Sequence, residues 1–284
     1  MRDRKSVKMN EVKGYVSANT ITAKDTFEIL EARRRYLRWT EGERVLDIGC
    51  GPGDVTNDVL LPFLPRDSTL VGCDVSEAML KNCNRYKING RLMFKKLDIQ
   101  QKWLNNGWEN EAFNKIFSFY CLHWITDHRQ AMRNIYSLLK PGGEILLMFM
   151  TPDNAVYIAF ETLKQSPKWN RFVKDIRWFF ESSDSISFCE DLLESAGFQE
   201  VDCYLKTSDH NIASWNTYLE LMKSVNPFLR HIPDEMKSEY FGEFEELLKK
   251  QRHIRFDGPD GGITVEYNMV VAAAKKFPRK KSIA

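Results

Sequence analysis

The stretch Val45-Leu-Asp-Ile-Gly-Cys-Gly-Pro-Gly-Asp54 decides the fold. Its apolar start, 44–48, predicts a β-strand that breaks into three glycines at alternate positions, Gly49, Gly51 and Gly53. The residues that follow, 54–64, predict a helix with Asp54 as its N-cap. Strand, glycine turn and helix form the first half of a nucleotide-binding βαβ unit, where a ligand can approach the backbone closely. The sequence therefore predicts an α/β fold.

The spacing of the glycines indicates which class of nucleotide is bound. A dinucleotide site reads G-x-G-x-x-G, whereas this chain reads G-x-G-x-G, with Asp47 two positions before the first glycine. A carboxylate there would repel a pyrophosphate and attract a cationic amino-acid head group. The run resembles motif I of the class I S-adenosylmethionine-dependent methyltransferases, whose ligand carries a sulfonium and an ammonium. A tight turn without any ligand is the alternative, and three alternating glycines disfavour it because of their conformational cost.

Length and composition are those of an ordinary globular protein. The chain has 284 residues, of which 43% are hydrophobic and 28% charged, and its formal net charge of +2 argues against a nucleic-acid partner. No apolar run approaches the roughly 20 residues of a membrane span, and the N-terminus lacks the apolar segment of a signal peptide. The six cysteines form no C-x-x-C pair, so no metal site is predicted. We expect a cytoplasmic protein, either a monomer or a homodimer.

Acidic residues end the next two predicted strands. Asp74 closes the strand at 70–74, where a carboxylate accepts hydrogen bonds from ribose hydroxyls, although a simple helix-entry cap is the alternative. Asp98 and Ile99 close the strand at 92–99. In the methyltransferase pattern an acidic residue at this point holds the adenine amino group, and the backbone amide of the next residue meets the ring.

The predicted segments outside this core add a lid and a cap. A lid helix is predicted at 20–39, and strands six and seven at 200–206 and 263–274, the latter antiparallel at the sheet edge. We expect one compact domain, divided into a tail and lid helix (1–42), a cofactor-binding core (43–150), an aromatic cap insertion and the helix leading to strand six (151–200), strands six and seven with a helical cap insertion (201–278), and a basic tail (279–284).

Seven aromatic residues between 157 and 180 suggest a large apolar pocket, and packing of the cap on the core is the alternative for each of them.

The segment Phe117-Ser-Phe-Tyr-Cys-Leu-His-Trp-Ile125, together with Arg129-Gln-Ala-Met-Arg-Asn-Ile135 and Asn226-Pro-Phe228, resembles the arthropod juvenile hormone acid O-methyltransferases. The resemblance covers nearly the whole chain. It implies a Rossmann-like class I methyltransferase with a seven-stranded, mostly parallel sheet, helices on both faces and a helical substrate cap. It also implies S-adenosylmethionine as cofactor and an apolar carboxylic acid as substrate. That acid is isoprenoid or lipid-like, farnesoic acid or juvenile hormone acid, and the product is its methyl ester.

Carried over by position, this resemblance and the aromatic pattern give three groups of site residues. The predicted cofactor contacts are Asp47, Gly49, Gly51, Gly53, Asp74, Val75, Asp98, Ile99 and Ser118. The predicted catalytic residues are Trp124, whose indole N–H is a donor only, Thr22 and His123, for which a buried structural role is the alternative. The predicted substrate pocket consists of Tyr120, Trp124, Phe149, Tyr157, Trp169, Phe172 and Trp178.

Thr22 is the position where the chain departs from the family pattern. The family tends to have a glutamine there, and the resemblance implies that this glutamine helps to hold the substrate carboxylate. Threonine is shorter, so a divergent paralogue acting on another acid is one alternative. A small-molecule methyltransferase for another acid or amine, and a non-catalytic protein that binds S-adenosylmethionine or a lipid acid, are the others.

Overall fold

The computed structural model describes residues 19–86, 90–105, 107–176, 184–257 and 262–278. Its strands are β1 (Arg44–Ile48), β2 (Thr69–Asp74), β3 (Leu92–Lys96), β4 (Phe113–Phe119), β5 (Leu139–Met150), β6 (Gln199–Ile212), β7 (Ile254–Phe256) and β8 (Ile263–Lys275). They form an eight-stranded sheet in the order β3-β2-β1-β4-β5-β8-β6, with β7 paired to β8 beside this path. The fold is a Rossmann-like α/β fold with a mostly parallel sheet.

The helices are α1 (Asn19–Arg33), α2 (Leu61–Phe63), α3 (Glu77–Cys83), α4 (His128–Leu138), α5 (Ala155–Gln165), α6 (Pro167–Val173), α7 (Ser185–Ala196), α8 (Trp215–Val225) and α9 (Lys237–Lys249). A π-helical turn, Thr56–Leu60, runs directly into α2, and a 3-10 turn, Leu122–Trp124, follows β4. Side chains fix several helix starts: Ser76 accepts the Met79 N–H at 3.3 Å, and Asp127 accepts the Gln130 N–H at 3.0 Å. None of the described helices combines the length and apolarity that a membrane crossing requires.

The topology creates a crevice beside β1. Strands β3, β2, β1, β4 and β5 are parallel, while β8 is antiparallel to both β5 and β6. Chain order reverses between β1 and β4, and ligands of open α/β sheets bind at such a switch point, outside the carboxyl ends of the strands. Residues 45–48 and 145–149 are buried without interruption, because layers on both faces cover these central strands.

Four helices, α5, α6, α8 and α9, form the cap, which has a core of its own. Phe160 of α5 stacks on Phe244 of α9 with ring centroids 5.1 Å apart. Trp169 of α6 is fully buried and donates its indole N–H to Glu243 at 2.6 Å. Aromatic residues of the cap therefore pack mainly on one another, which was the alternative to their lining a pocket.

Several predicted boundaries were wrong. The lid helix ends at Arg33 rather than at residue 39. The helix predicted at 54–64 is interrupted by the π-helical turn Thr56–Leu60. Strand β6 continues to Ile212 because it pairs with β8 without interruption from Asp202 onward, and Ile212 lies opposite Ile263. The short strand β7 was not predicted. The predicted basic tail, 279–284, lies outside the described residues.

Candidate active site

The glycine turn after β1 is built as the spacing indicates, but for a partly different reason. Gly49, Gly51 and Gly53 all have positive φ, at 78°, 54° and 88°. A Cβ on Gly49 would lie 2.3 Å from the side chain of Cys121, so at this position the space is taken by the protein itself rather than by a ligand. The turn is closed onto β2 by the N–H of Gly49, which donates to the Cys73 carbonyl at 2.8 Å.

Asp74 ties this turn to the end of β2. Its Oδ2 accepts the Gly51 N–H at 3.0 Å, and its Oδ1 accepts the Ser76 N–H at 2.8 Å. Burial raises the pKa of the Asp74 carboxyl, and these backbone donors oppose that effect. A carboxylate oxygen has more than one lone pair, so the arrangement leaves acceptor capacity for hydroxyl donors.

Asp47 is a buried carboxylate beneath the turn. It is 4% exposed, and its Oδ2 accepts the Thr56 hydroxyl at 2.6 Å. Burial raises the pKa of Asp47 to about 6; the Thr56 hydrogen bond opposes this rise and the charge of Asp74 adds to it. A cationic ligand would stabilise the ionised form of this buried acid, because a nearby positive charge favours that form.

A small cavity opens over the turn, and we call it the loop cavity. It is lined by Thr22, Thr26, Asp47, Gly49, Cys50, Pro52, Asp54, Val55, Phe119 and Tyr120. Two of its buried polar atoms, Thr26 Oγ1 and Asp54 Oδ2, have no hydrogen-bond partner among the described residues. Unpaired buried acceptors and two carboxylates fit the ammonium and hydroxyl donors of S-adenosylmethionine.

Asp54 was predicted to cap the helix after the glycine turn, but its carboxylate contacts other side chains instead. Its Oδ1 accepts hydrogen bonds from Arg85 and Tyr86, which lie just after α3. The Arg85 guanidinium is the stronger attraction for this carboxylate, because an ion pair outweighs a backbone cap. Sequence reasoning did not assign a cofactor role to Asp54 or to Thr26.

The other predicted cofactor residues border the same edge of the sheet. Asp98 follows β3 and accepts the Gln100 N–H at 3.1 Å, while the Ile99 carbonyl accepts the Asn134 amide at 2.7 Å. Val75 is the residue that follows β2. Ser118 is fully buried, and its hydroxyl donates to the Ile48 carbonyl at 2.9 Å, so it joins β4 to β1 behind the turn rather than facing the loop cavity.

A second, larger cavity lies between the sheet edge and the cap, and we call it the apolar cavity. Its lining is aliphatic and aromatic with few polar groups: Ile21, Thr22, Tyr120, His123, Trp124, Met150, Asn154, Ala155, Val156, Tyr157, His210, Ile212, Tyr218, Leu221, Met222, Val225, Val265, Glu266 and Tyr267. No lysine or arginine lines it in the described part of the chain. Thr22 and Tyr120 line both cavities, so the two cavities adjoin at these residues.

Trp124 and His123 lie on the 3-10 turn that follows β4, and both line the apolar cavity. Within the described residues no protein group accepts the Trp124 indole N–H, and the ring packs edge-on against Tyr157 at 6.3 Å. His123 is 2% exposed, and its Nδ1 accepts the Met150 N–H at 3.3 Å, which places the ring proton on Nε2. Burial, with a smaller contribution from His128, lowers the pKa of His123 to about 3, so the ring carries no positive charge at neutral pH.

Three predicted pocket residues do not line the apolar cavity. Phe149 is 3% exposed and lies on the opposite face of β5 from Met150, because side chains alternate along a strand. Trp169 is buried inside the cap, and Phe172 packs under the Arg171 guanidinium at 4.5 Å. Trp178 lies outside the described residues, whereas Tyr120, Trp124 and Tyr157 line the apolar cavity.

A buried carboxylate on α1 completes the site, and sequence reasoning missed it. Asp25 is fully buried and accepts hydrogen bonds from Tyr267 at 2.6 Å, from Ser208 at 3.0 Å and from Tyr120. These donors lie 242, 183 and 95 residues away along the chain, so no local pattern relates them to Asp25. Elsewhere in the described residues, no group of three or more His, Cys, Asp or Glu side chains is placed to hold a metal ion.

Comparison with known proteins finds relatives of the chain among the methyltransferases. Residues 46–145 match a family model described as a methyltransferase domain. The chain is 30% identical over 281 residues to the juvenile hormone acid O-methyltransferase of Bombyx mori, covering 95% of this chain and 98% of that protein. It is 31% identical over 280 residues to the enzyme of the same name from Drosophila melanogaster, covering 95% and 93%. A solved structure from Bacillus halodurans, assigned to the methyltransferases, superimposes with a TM-score of 0.54 at 20% identity, covering 88% of this chain and 99% of that one.

Proposed function

Because the chain belongs to the juvenile hormone acid O-methyltransferase family, we propose that it methylates the carboxylate of an apolar isoprenoid acid, farnesoic acid or juvenile hormone acid. It is an enzyme, an O-methyltransferase that uses S-adenosylmethionine. The observation that carries the proposed substrate is the apolar cavity and its junction with the loop cavity at Thr22 and Tyr120. A cofactor in one cavity and an acid in the other would meet at this junction.

The lining of the apolar cavity supports a long acid with a single charge. Each buried CH₂ of a ligand contributes about 0.8 kcal/mol to binding, so an isoprenoid chain gains most of its affinity from such walls. A tricarboxylic acid would need cations to offset its charge, and the described lining contains no lysine or arginine. One carboxylate can instead be held by neutral donors such as the Trp124 indole and the Thr22 hydroxyl.

In the loop cavity and along the neighbouring ends of β2 and β3, the residues present fit the cofactor in distinct roles. Asp47 and Asp54 would hold the ammonium of the amino-acid end, since both carboxylates line this cavity. Asp74 would accept the ribose hydroxyls, and Asp98 with Ile99 would meet the adenine. Bound there, S-adenosylmethionine supplies a methyl group on a sulfonium.

The protein's task in this reaction is alignment and exclusion of water. A carboxylic acid has a reference pKa near 4, so the substrate is ionised at neutral pH and needs no general base. A well-aligned encounter can lower a barrier by about 7–11 kcal/mol. The carboxylate loses charge as it is methylated, and a donor therefore holds the starting state more firmly than the transition state. We accordingly assign Trp124 and Thr22 an orienting role, and neutral His123 a place in the cavity wall.

A chain-length series of acids tests the substrate class. Purified protein with S-adenosylmethionine should methylate farnesoic acid far better than butyrate, because each CH₂ at about 0.8 kcal/mol changes apparent affinity several-fold. Methyl-ester formation is measured with a radiolabelled cofactor, with a tricarboxylic acid as a further arm. Equal rates for all chain lengths, or a preference for the tricarboxylic acid, would refute the proposal.

A pair of variants links this preference to the cavity. Met222→Lys places a charge in the apolar lining and should reduce turnover of farnesoic acid much more than that of butyrate. Lys223→Gln changes the next residue, whose side chain pairs with Glu220 outside the cavity, and should leave both rates unchanged.

A further inference from the structure

The junction of the two cavities is held from behind by Asp25. Its carboxylate is fully buried, and no cation within the described residues forms a salt bridge with it. Its Oδ2 accepts the hydroxyls of both Tyr120 and Tyr267, and its Oδ1 accepts that of Ser208. An unpaired buried carboxylate is costly, so three convergent hydroxyl donors form an organised site rather than incidental packing.

Tyr120 is the donor that also faces both cavities. Its backbone φ is +54°, a left-handed conformation that is unusual for a bulky aromatic residue. Its N–H still donates to the Met148 carbonyl at 2.9 Å, so the strand ladder holds it on one side and Asp25 holds its hydroxyl on the other. Strained conformations of this kind persist only where the surrounding structure fixes them, and they concentrate at active sites.

Anchoring of α1 alone does not account for this arrangement. The helix is already docked on β6 by the Arg33–Asp202 salt bridge at 2.6 Å and the Glu28–Lys206 pair at 2.9 Å. Leu30, which belongs to the same helix, is also fully buried. Beyond docking the helix, the Asp25 contacts therefore hold the hydroxyl of the Tyr120 ring, the donor that lines both cavities.

We propose that Asp25 is a positioning residue for methyl transfer, which fixes the Tyr120 ring as the wall at which the acid and the cofactor are aligned. This inference rests on the proposed function, because it takes the junction of the two cavities as the place of reaction. Asp25 itself touches neither reactant, since it is fully buried and lines neither cavity. Misplacement by about 1 Å can slow a reaction about a hundredfold, so loss of this tether should appear in kcat.

Two variants and one control test the role of the tether. Tyr120→Phe keeps the ring but removes the tether, and Asp25→Asn removes the carboxylate that receives it. Arg33→Gln weakens the docking of the same helix at its other end and serves as the control. For each protein we would measure kcat and KM with the acid that the wild type methylates best, the Kd of S-adenosylhomocysteine by calorimetry, and Tm.

We expect Tyr120→Phe and Asp25→Asn each to lower kcat about tenfold or more, with the Kd changed less than about twofold. The double variant should be no slower than the slower single one, because both remove the same tether. Arg33→Gln should lower Tm but leave kcat near the wild-type value. An unchanged kcat in Tyr120→Phe would overturn the proposal, as would an equal loss in Arg33→Gln. Should Asp25→Asn not fold, Tyr120→Phe and the control still decide. Failure of the proposed substrate class would appear separately, in the identity of the best acid for the wild type.

Discussion

The hydroxyl of Thr56 donates a hydrogen bond of 2.6 Å to the buried carboxylate of Asp47. Thr56 lies on the π-helical turn after the glycines, and Asp47 lies in β1 and lines the loop cavity, so this bond ties the helical turn to β1. It stabilises the ionised form of an acid whose pKa burial has raised to about 6. The charge of Asp47 should therefore change within an accessible pH range.

We expect cofactor affinity to fall as pH is lowered through about 6, because the cationic head group binds the ionised form of Asp47. Calorimetric titrations between about pH 5 and 8 should give a constant Kd above about 7 and weaker binding below the pKa. Asp47→Asn should bind more weakly and lack this transition, while Thr56→Val should move it to higher pH. A wild-type Kd that does not vary with pH would contradict the assignment.

The same pKa has a consequence for stability. The pKa of the Asp47 carboxyl is about 6 in the folded state and near 3.9 in the unfolded chain. Folding therefore takes up protons between about pH 4 and 6. The contribution of Asp47 to the free energy of unfolding therefore decreases as pH rises through that window. Urea denaturation without cofactor measures the free energy of unfolding of wild type and of Asp47→Asn. As pH rises, the wild-type value should fall relative to that of Asp47→Asn.

Asp74→Asn should weaken cofactor binding about 10- to 150-fold, the equivalent of the roughly 1.5–3 kcal/mol that a hydrogen bond to a charged group contributes. The substitution also disturbs the bonds to the N–H groups of Gly51 and Ser76. Calorimetry measures the Kd, and Glu77→Gln is the control, because Glu77 is a nearby exposed carboxylate paired with Lys96. Unchanged affinity in Asp74→Asn would remove this residue from the ribose site.

Trp124→Phe should lower kcat/KM for the acid about ten- to a hundredfold while leaving the cofactor Kd unchanged, because the ring remains but the orienting donor is lost. Steady-state kinetics with farnesoic acid measures the effect. Trp215→Phe is the control: that indole N–H donates to Glu245 at 2.8 Å, and the residue does not line the apolar cavity. Equal kinetics in wild type and Trp124→Phe would show that the carboxylate is held elsewhere.

Thr22→Gln introduces the glutamine that the family resemblance implies at this position, and it should raise kcat/KM on farnesoic acid about fivefold, the value of one further hydrogen bond of about 1 kcal/mol. Thr22→Val keeps the shape but removes the hydroxyl, so it should lower kcat/KM. Both are measured on the same acid. Lower activity in Thr22→Gln would indicate that this cavity evolved around a different acceptor.

Features that depend on neighbouring residues could be predicted from the amino-acid sequence. The strand, glycine turn and helix around Gly49 follow from local conformational preference, and Asp47 and Asp74 keep fixed positions in that βαβ unit. The helix starts at Ser76 and Asp127 also depend on local contacts, since each side chain bonds to an N–H three residues ahead.

Features that depend on distant segments, or on which face of a strand a side chain occupies, follow from the folded arrangement of the whole chain. Met150 rather than Phe149 lines the apolar cavity because one residue along a strand reverses the face. Asp25 meets Tyr120 and Tyr267 because α1, β4 and β8 converge at one sheet edge, across separations of 95 and 242 residues. No local pattern encodes such a meeting, since it arises from the pairing order of the strands and from the burial that this order imposes.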